Sequence, residues 1–468
     1  MDTCLRSRTR AADLDPSSIE RRAAALLRSG RREDARLALL DAQLDPAGAE
    51  EPELADAQGR ALDELTAGHV SVEVARVRRC ALRRPLGWVR PLASHWTWQP
   101  GEGPCDLPAL ALRVDLLDPE GLQVAPCAAT LARIAAFPGL ASLDLGAPLG
   151  PTASSALQGS AGLRELTCAA PVDAAALRAL APCELASLEL RNLPDPADDT
   201  CAALGELSSL ERLVLSRHSP WLTDAGVERL ASLPRLRDLS LPRSPWVTGS
   251  GLAPLLDHAT TVRRLVLGGP RLGLPALAVA AELPLLEVLD LEGSGPLCDE
   301  ALDWLTHCQR LRLLRLRGHA ELTGRQLRRL EELEHLEYLD LVDVPGLDDD
   351  ALEALAGLPS LKSLWLASGR RHWGERGLRA LAHGRALREL CLGDESSRAE
   401  LRAVGDLPAL ERLALRGDLQ SEALDPLPGA APLTWVDAPA PVQALRALRS
   451  RLRPGAEVWR LGRPIDAP

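Results

Sequence analysis

Charged and aromatic side chains suited to partner recognition recur at a fixed interval in the second half of the sequence. Asp290, Arg315, Asp340 and Trp365 follow one another every 25 residues, and Arg317 and Tyr338 lie two positions from members of this series. Carboxylate and guanidinium groups can pair with each other or with a charged partner. Tryptophan, tyrosine and arginine are the residue types most often found at binding hot spots. The series therefore requires a repeat that places the same position on neighbouring elements.

Motifs for catalysis or for a cofactor are missing from the sequence. We find no GxxxxGK[ST], HExxH or GxSxG, and no GxGxxG in a suitable setting. Cys298, His307 and Cys308 form the nearest metal-like group, but they lack a fourth ligand and a familiar spacing. Cys105, in GPCDLP, has no recognisable base to activate its thiol. We therefore expect no catalytic residue, no metal site and no cofactor, and a protein that is not an enzyme.

The pattern LxxLxL, with Val or Cys at some positions, recurs every 22 to 26 residues. It begins at Leu140, Leu163, Leu185, Leu210, Leu236, Val262, Leu286, Leu311, Leu336, Leu361, Leu387 and Leu410, with a degraded copy at Leu433. Each copy alternates as a short strand does and precedes a polar turn. A segment with helical spacing follows, such as DAGVERLASL (224–233) or DDALEALAGL (349–358). One such unit cannot bury both apolar faces alone, so we expect about 12–13 units to stack into a solenoid.

These units resemble the leucine-rich repeat family, and LEVLDLEGSGPLCDEALDWL (286–305) resembles its cysteine-containing subclass. Ser294 and His319 stand at the position of the turn cysteine, whereas Cys183 and Cys308 fall near the subclass's other cysteine position. The resemblance implies an α/β solenoid of horseshoe form. Its parallel strand ladder would line the concave face, with short helices on the convex face and a helical N-terminal cap. The family binds unrelated partners, so this resemblance specifies fold far better than function.

The repeat divides the chain into four segments. We predict a disordered N-terminus at 1–16, a helical cap or companion region at 17–127, the repeat array at 128–440 and a C-terminal cap at 441–468. The segment 17–67 reads as helices and resembles the short companion domain before some bacterial arrays. LALRVDLL (110–117) predicts an early strand, and PVQALRALRSRLRPGAEVWRL (441–461) predicts a helix, a turn and a final strand.

The concave strand face is the predicted binding surface for a protein partner. Alternation along each strand places positions 3, 5 and 7 of the LxxLxL copies on this face. The proposed contact residues are Asp290, Arg315, Arg317, Tyr338, Asp340 and Trp365. Adjacent strands lie about 4.8 Å apart, so the charged members have an alternative role as an ion ladder between neighbouring strands.

A second candidate surface is the arginine- and tryptophan-rich segment 74–98. Such a segment can bind nucleic acid or another polyanion by pairing with phosphates and stacking on bases. The contact residues would be Arg76, Arg78, Arg79, Arg83, Arg84 and Arg90. The alternative is an amphipathic cap whose arginine stems and tryptophans pack on the first repeats. The net charge of −11 makes nucleic acid the less favoured partner.

Composition and processing signals indicate a cytoplasmic bacterial protein. The 468 residues show no secretory signal and no apolar run long enough to span a bilayer. The 10 cysteines have no regular pairing, which suits free thiols in a reducing compartment. Arginine supplies almost all positive charge, as in a GC-rich genome. We expect a monomer, no membrane partner and an unidentified protein partner.

The related stretches SPWLTDAG (219–226) and SPWVTGSG (244–251) interrupt the turn of two consecutive units. Their tryptophans could form a ligand platform, or they could close a structural turn. In the repeat register SPW falls between strand and helix, where proline presets the backbone. We therefore predict that Trp221 and Trp246 stack on each other beneath the turn.

Overall fold

The computed structural model describes residues 70–76, 110–116, 128–135 and 140–465, except 147, 161, 195–196, 219–221, 242–243, 259, 298–299, 368–371, 394–395, 417–423, 428–430 and 462. The predicted terminus at 1–16 and the predicted helices of 17–67 lie outside these residues. The chain divides into two compact units, with the described strands β1–β6 in the first and β7–β17 in the second.

The first unit is a ladder of six described strands. They are β1 (Val70–Arg76), β2 (Leu110–Leu116), β3 (Leu140–Leu145), β4 (Glu165–Cys168), β5 (Ser187–Asn192) and β6 (Arg212–His218). Pairing is parallel from β2 to β6, whereas β1 runs antiparallel to β2. The early strand expected at 110–117 is therefore observed, and it is the first strand of the parallel series. The ladder begins upstream of the predicted array boundary at residue 128.

The second unit continues the same pattern over eleven described strands. They are β7 (Asp238–Leu241), β8 (Arg264–Leu267), β9 (Val288–Asp290), β10 (Leu313–Arg315), β11 (Tyr338–Asp340), β12 (Ser363–Leu366), β13 (Glu389–Leu392), β14 (Arg412–Leu415), β15 (Trp435–Asp437), β16 (Glu457–Arg460) and β17 (Arg463–Pro464). Pairing is parallel from β7 to β16. Only the last strand, β17, runs antiparallel, against β16.

Short helices follow the strands. They are α1 (Ala128–Ala135), α2 (Pro151–Ala156), α3 (Ala174–Leu180), α4 (Ala197–Gly205), α5 (Asp224–Ala231), α6 (Pro254–His258), α7 (Gly273–Glu282), α8 (Glu300–Leu305), α9 (Asp349–Ala356), α10 (Glu375–Ala380), α11 (Arg398–Gly405) and α12 (Val442–Arg451). A 3-10 helix, Gly324–Glu332, takes the helical place after β10. None of the described helices is long and apolar enough to cross a membrane.

The leucines of the repeat form the core because alternation turns them to one side of each strand. In the copy that contains β11, Leu336, Leu339 and Leu341 are all completely buried. Equivalent leucines meet across the strand pairs from β7 to β14, for example Leu314 opposite Leu339. The predicted parallel ladder with short helices is thus confirmed, with the strand register that the leucine spacing requires.

Polar side chains at the turns fix where helices begin. Asp173 and Asp348 accept hydrogen bonds from the third amide of α3 and α9, at 2.7 and 2.8 Å. Ser397 and Glu400 form a reciprocal capping box at the start of α11. Asp349 acts across repeats, since its Oδ1 accepts from the amides of Gly374 and Gly377 in the next unit. The Asp349 contacts therefore tie the start of α9 to the turn of the next unit.

Candidate functional site

All six predicted partner-contact residues lie on the strand face, which we define as positions 3, 5 and 7 of the copies containing β9–β16. Two rows are aligned by the parallel register. The position 3 row runs Val288, Leu313, Tyr338, Ser363, Glu389, Arg412, Trp435 and Glu457. The position 5 row runs Asp290, Arg315, Asp340, Trp365, Cys391, Ala414, Asp437 and Trp459. The 25-residue spacing therefore brings the predicted residues together.

The charged trio forms a buried ion ladder. Arg315 pairs with Asp290 through Nη1 and with Asp340 through Nε, the latter at 3.4 Å. Arg317 Nη2 lies 2.8 Å from the same Asp340 oxygen. Burial by itself lowers the pKa of Arg315, but Asp290, Tyr338 and Asp340 outweigh it and raise that pKa above its usual value. The predicted ladder between neighbouring strands is thus present in the structure.

The two aspartates also hold the turns that follow their strands. Asp290 Oδ1 accepts a hydrogen bond from the Glu292 amide at 3.1 Å, and Asp340 Oδ1 accepts one from the Val342 amide at 3.0 Å. Each carboxylate therefore uses one oxygen for the backbone and the other for an arginine. This double use gives the pair a structural role that needs no partner.

The two aromatic contact residues are buried, whereas the sequence pattern predicted binding anchors on an open face. Tyr338 is 4% exposed and Trp365 is 8% exposed, and their rings lie 6.2 Å apart. Burial raises the pKa of Tyr338 well above its usual value, so its hydroxyl stays neutral at physiological pH. Alternation along a strand predicts which face a side chain occupies, but it does not predict exposure. Neither ring offers a free surface comparable with an exposed hot spot.

A line of polar contacts links these rings to the C-terminal strands. Trp365 Nε1 donates to Ser363 Oγ, and Ser363 donates to Glu389, both at 3.3 Å. Glu389 faces Arg412 at 3.8 Å. Burial raises the pKa of Glu389, despite the opposing effects of Arg412 and the Ser363 hydrogen bond.

The line continues through two further tryptophans. The Arg412 guanidinium lies 4.6 Å from the centre of the Trp435 ring, and Trp435 lies 6.4 Å from Trp459. Arg416 then pairs with the fully buried Asp437 at 3.1 Å. We call this series the aromatic–ionic strip. It consists of Asp290, Arg315, Arg317, Tyr338, Asp340, Ser363, Trp365, Glu389, Arg412, Arg416, Trp435, Asp437 and Trp459. Trp435, Asp437 and Trp459 are not among the predicted contact residues, because the copy at Leu433 is degraded and no LxxLxL copy marks β16.

Position 7 of the copies containing β9, β10 and β11 forms an accessible rim on the strand face. Glu292 is exposed, the Arg317 side chain is 32% exposed, and Val342 is partly buried. Of the predicted contact residues, Arg317 is thus the most accessible. Its guanidinium is held by Asp340 beneath the rim.

A second ion ladder, absent from the sequence predictions, occupies position 2 of the copies. Glu337 accepts from Arg312 Nη2 at 2.7 Å and from Lys362 Nζ at 2.9 Å. Burial alone raises the pKa of Glu337, but the two cationic partners outweigh it and lower that pKa. Arg263 and Glu287 make an equivalent pair at 2.6 Å. Alternating charges at the second letter of successive LxxLxL copies were the available signal.

The remaining predicted residues fall in different places. Arg76 is the last residue of β1 and pairs with Leu110, whereas Arg78, Arg79, Arg83, Arg84 and Arg90 lie outside the described residues. Cys298 also lies outside them. Among the described residues no group of three or more His, Cys, Asp or Glu side chains could hold a metal ion.

The cysteines and the turn histidine are placed within the repeat. Cys168, Cys183, Cys201, Cys308 and Cys391 are free and buried. Burial raises the pKa of the Cys308 thiol to about 12, which opposes a nucleophilic role. His319 takes the turn position named above, and its Nε2 lies 2.9 Å from the carbonyl oxygen of Leu291 in the preceding unit.

The turn tryptophan differs from its predicted role. Trp246 is 50% exposed, so it does not lie beneath the turn. The Arg271 guanidinium lies 4.7 Å from its ring centre. Its predicted stacking partner, Trp221, lies outside the described residues. Trp246 is attached to the ladder through a parallel bridge with Thr223.

Comparison with known proteins adds distant structural likenesses. No protein-family model matches the sequence, and no curated protein is significantly similar to it. An internalin from Listeria monocytogenes is 16% identical, with a TM-score of 0.39, covering 66% of this chain and 86% of its own. A leucine-rich-repeat protein of Leptospira interrogans is 17% identical, with a TM-score of 0.36, covering 72% of this chain and 93% of its own.

A third solved structure, TLR13 in complex with ssRNA13, is 19% identical with a TM-score of 0.41. It covers 64% of this chain, and the match spans 42% of the TLR13 chain. The fold assignment rests on the repeating register of the strands and on none of these scores. By that register, each of the two units has the repeating strand-and-helix pattern of a leucine-rich-repeat fold.

Proposed function

We propose that this protein is a non-catalytic scaffold that binds a protein partner through the strand face. The observation that carries the proposal is the aromatic–ionic strip. It concentrates tyrosine, tryptophan and arginine on the side of the strands opposite the leucine core. These residue types dominate the energetics of protein interfaces. The charged residues of the strip hold the turns beside this face, so they fix the geometry of the surface that we assign to recognition.

Direct contact is proposed for the rim residues Glu292, Arg317 and Val342. Because Tyr338 and Trp365 are nearly buried, we assign them a supporting role beneath the rim. Asp340 holds the Arg317 guanidinium in place and also fixes the backbone at Val342. A preorganised side chain loses less conformational entropy on binding than a free one. The buried strip would thus act by fixing the geometry of the residues that the partner touches.

Site-specific photo-crosslinking tests the proposal. A photoreactive phenylalanine analogue replaces Val342 on the rim, and in a matched variant it replaces the exposed Glu353 on helix α9. We expect a discrete protein adduct from position 342 and none from position 353. The additional change Arg317→Ala should weaken the adduct at 342. Equal adducts from both positions, or a 342 adduct indifferent to Arg317→Ala, would contradict binding through the strand face.

The salt dependence of any RNA that co-purifies with the protein distinguishes this proposal from polyanion binding by the segment 74–98. Nucleic acid held by arginines is released steeply as salt rises, because binding displaces condensed counterions. If RNA co-purifies and is released steeply with rising salt, and no protein adduct forms, the scaffold proposal is wrong and polyanion binding is favoured.

A cytoplasmic bacterial location is part of the proposal. The free thiols of the five described cysteines support a reducing compartment. We further propose that the protein is a monomer.

A further inference from the structure

A groove lies where helix α12 ends and the chain turns towards strand β16. Its volume is about 430 Å³. Its lining consists of Arg446, Arg449, Ser450, Leu452, Arg453, Pro454, Gly455 and Ala456. All eight are described residues, and none of them carries a carboxylate. The groove therefore collects positive charge in a chain whose net charge is −11.

Three arginines line this groove. Helical spacing places Arg446 and Arg449 on the same side of α12, and Arg453 comes from the turn that follows the helix. Like charges at this spacing repel one another. Their position at the helix C-terminus offsets part of that repulsion, since the helix dipole favours cations there. The dipole explains a basic last turn, but it does not explain why Arg453, beyond the helix, lines the same groove.

Arg451 provides a contrast within the same helix. Its Nη1 pairs with Asp425 at 3.1 Å, and its guanidinium also contacts the Asp425 carbonyl. That arginine is directed at a carboxylate from the preceding unit and does not line the groove. Arg446 and Arg449, on the same helix, do line it.

We propose that this groove binds a small anion that carries two or more phosphoryl groups. The planar guanidinium fork matches phosphate oxygens and can bind them in a bidentate manner. The groove is open to solvent, and the three arginines of its lining can contact more than one phosphoryl group. The amides of Leu452 and Ala456 already donate to Leu448 and Arg453. Recognition therefore depends on the arginine side chains. The site is separate from the strand face and goes beyond the proposed scaffold function.

Calorimetric titration of the full-length protein with inorganic pyrophosphate and with ADP tests the site. We expect one binding event per chain for ADP, weaker at physiological than at low ionic strength because salt screens exposed charges. Binding of pyrophosphate as well shows that phosphoryl groups alone are recognised, whereas binding of ADP only shows that a nucleoside is also required. Either result supports the site. Absence of binding by both ligands overturns it.

Two variants locate the binding. Arg446→Gln combined with Arg453→Gln should weaken binding at least about tenfold, since it removes two charge-assisted contacts. Ser450→Asp places a carboxylate in the groove, leaves the arginines present and should weaken binding by a similar factor. The matched control, Arg398→Gln with Arg402→Gln on helix α11, removes the same charge outside the groove. Thermal unfolding monitors the folding of every variant. Equal losses in the control and the groove variants would assign binding to general charge and overturn the proposal.

Discussion

Replacing Asp340 with alanine removes a fully buried carboxylate from between two arginines. One oxygen of Asp340 lies 2.8 Å from Arg317 Nη2 and 3.4 Å from Arg315 Nε, and the other accepts the Val342 amide. Breaking a buried pair by removing one partner costs about 3–5 kcal/mol. Arg315 keeps Asp290, and Arg317 is partly solvated. The expected loss is therefore at the lower end, about 3 kcal/mol.

Asp425→Ala is the matched control, since it also removes an aspartate paired with an arginine. Both of those side chains are about half exposed, so the expected loss is about 0–1 kcal/mol. Asp340→Asn provides a second comparison because it retains an oxygen for the Val342 amide. We expect it to lose less stability than Asp340→Ala, and the difference measures the backbone contact.

Urea unfolding gives the global loss, and hydrogen exchange localises it. Repeat arrays do not always unfold in one cooperative step, so exchange at individual amides is the more direct measurement. We expect faster exchange in β10–β12 of Asp340→Ala, with smaller changes in strands farther along the ladder. An Asp340→Ala protein that is no less stable than Asp425→Ala would refute the ion ladder as an energetic feature.

Three further predictions concern the repeat itself. Burial lowers the pKa of His319. As pH falls below about 6.5, the unfolded chain therefore takes up more protons than the folded chain, and the stability of the fold decreases. Urea titrations of His319→Asn should show a smaller loss of stability at low pH, and an unchanged pH dependence would contradict this. Gly377→Ala places a Cβ 2.7 Å from Asp349 Oδ1 and 2.8 Å from Leu352 Cδ1, and thermal unfolding should show a loss of about 1–3 kcal/mol, whereas Gly159→Ala, which meets nothing within 4 Å, should show little. Burial raises the pKa of Cys168, Cys201, Cys308 and Cys391 to about 12. Alkylation followed by mass spectrometry should therefore label these thiols only after unfolding, and labelling in the folded protein would argue against their burial.

Leucine spacing was sufficient to predict the fold of the array. LxxLxL copies specify both a strand and the side of it that is buried, and the constant interval specifies which residues meet across strands. Arg315 opposite Asp340 follows from this arithmetic alone. The charge ladder at Glu337 follows from the same register, because the charge at position 2 alternates in sign between neighbouring copies there.

Exposure could not be predicted in the same way. Whether Tyr338 or Trp365 is open to solvent depends on the side chains around it in three dimensions, and sequence periodicity carries only direction. The prediction for Trp246 was wrong for a related reason. The repeat predicts which residue occupies the same turn position in the next unit, but it did not predict that Arg271 lies over the Trp246 ring. Local spacing thus predicted partners along the ladder better than partners across turns.

Strand β17 is the last described strand of its unit, and it runs antiparallel to the others. Trp459 and Arg460 of β16 face Pro464 and Arg463, so the outer edge of β16 is occupied where a further parallel strand would pair. Proline lacks the amide hydrogen that such a strand would need. Lengthening this solenoid by design would therefore require whole units to be inserted between existing ones, for example between β12 and β13, where the strand register can be copied from either side.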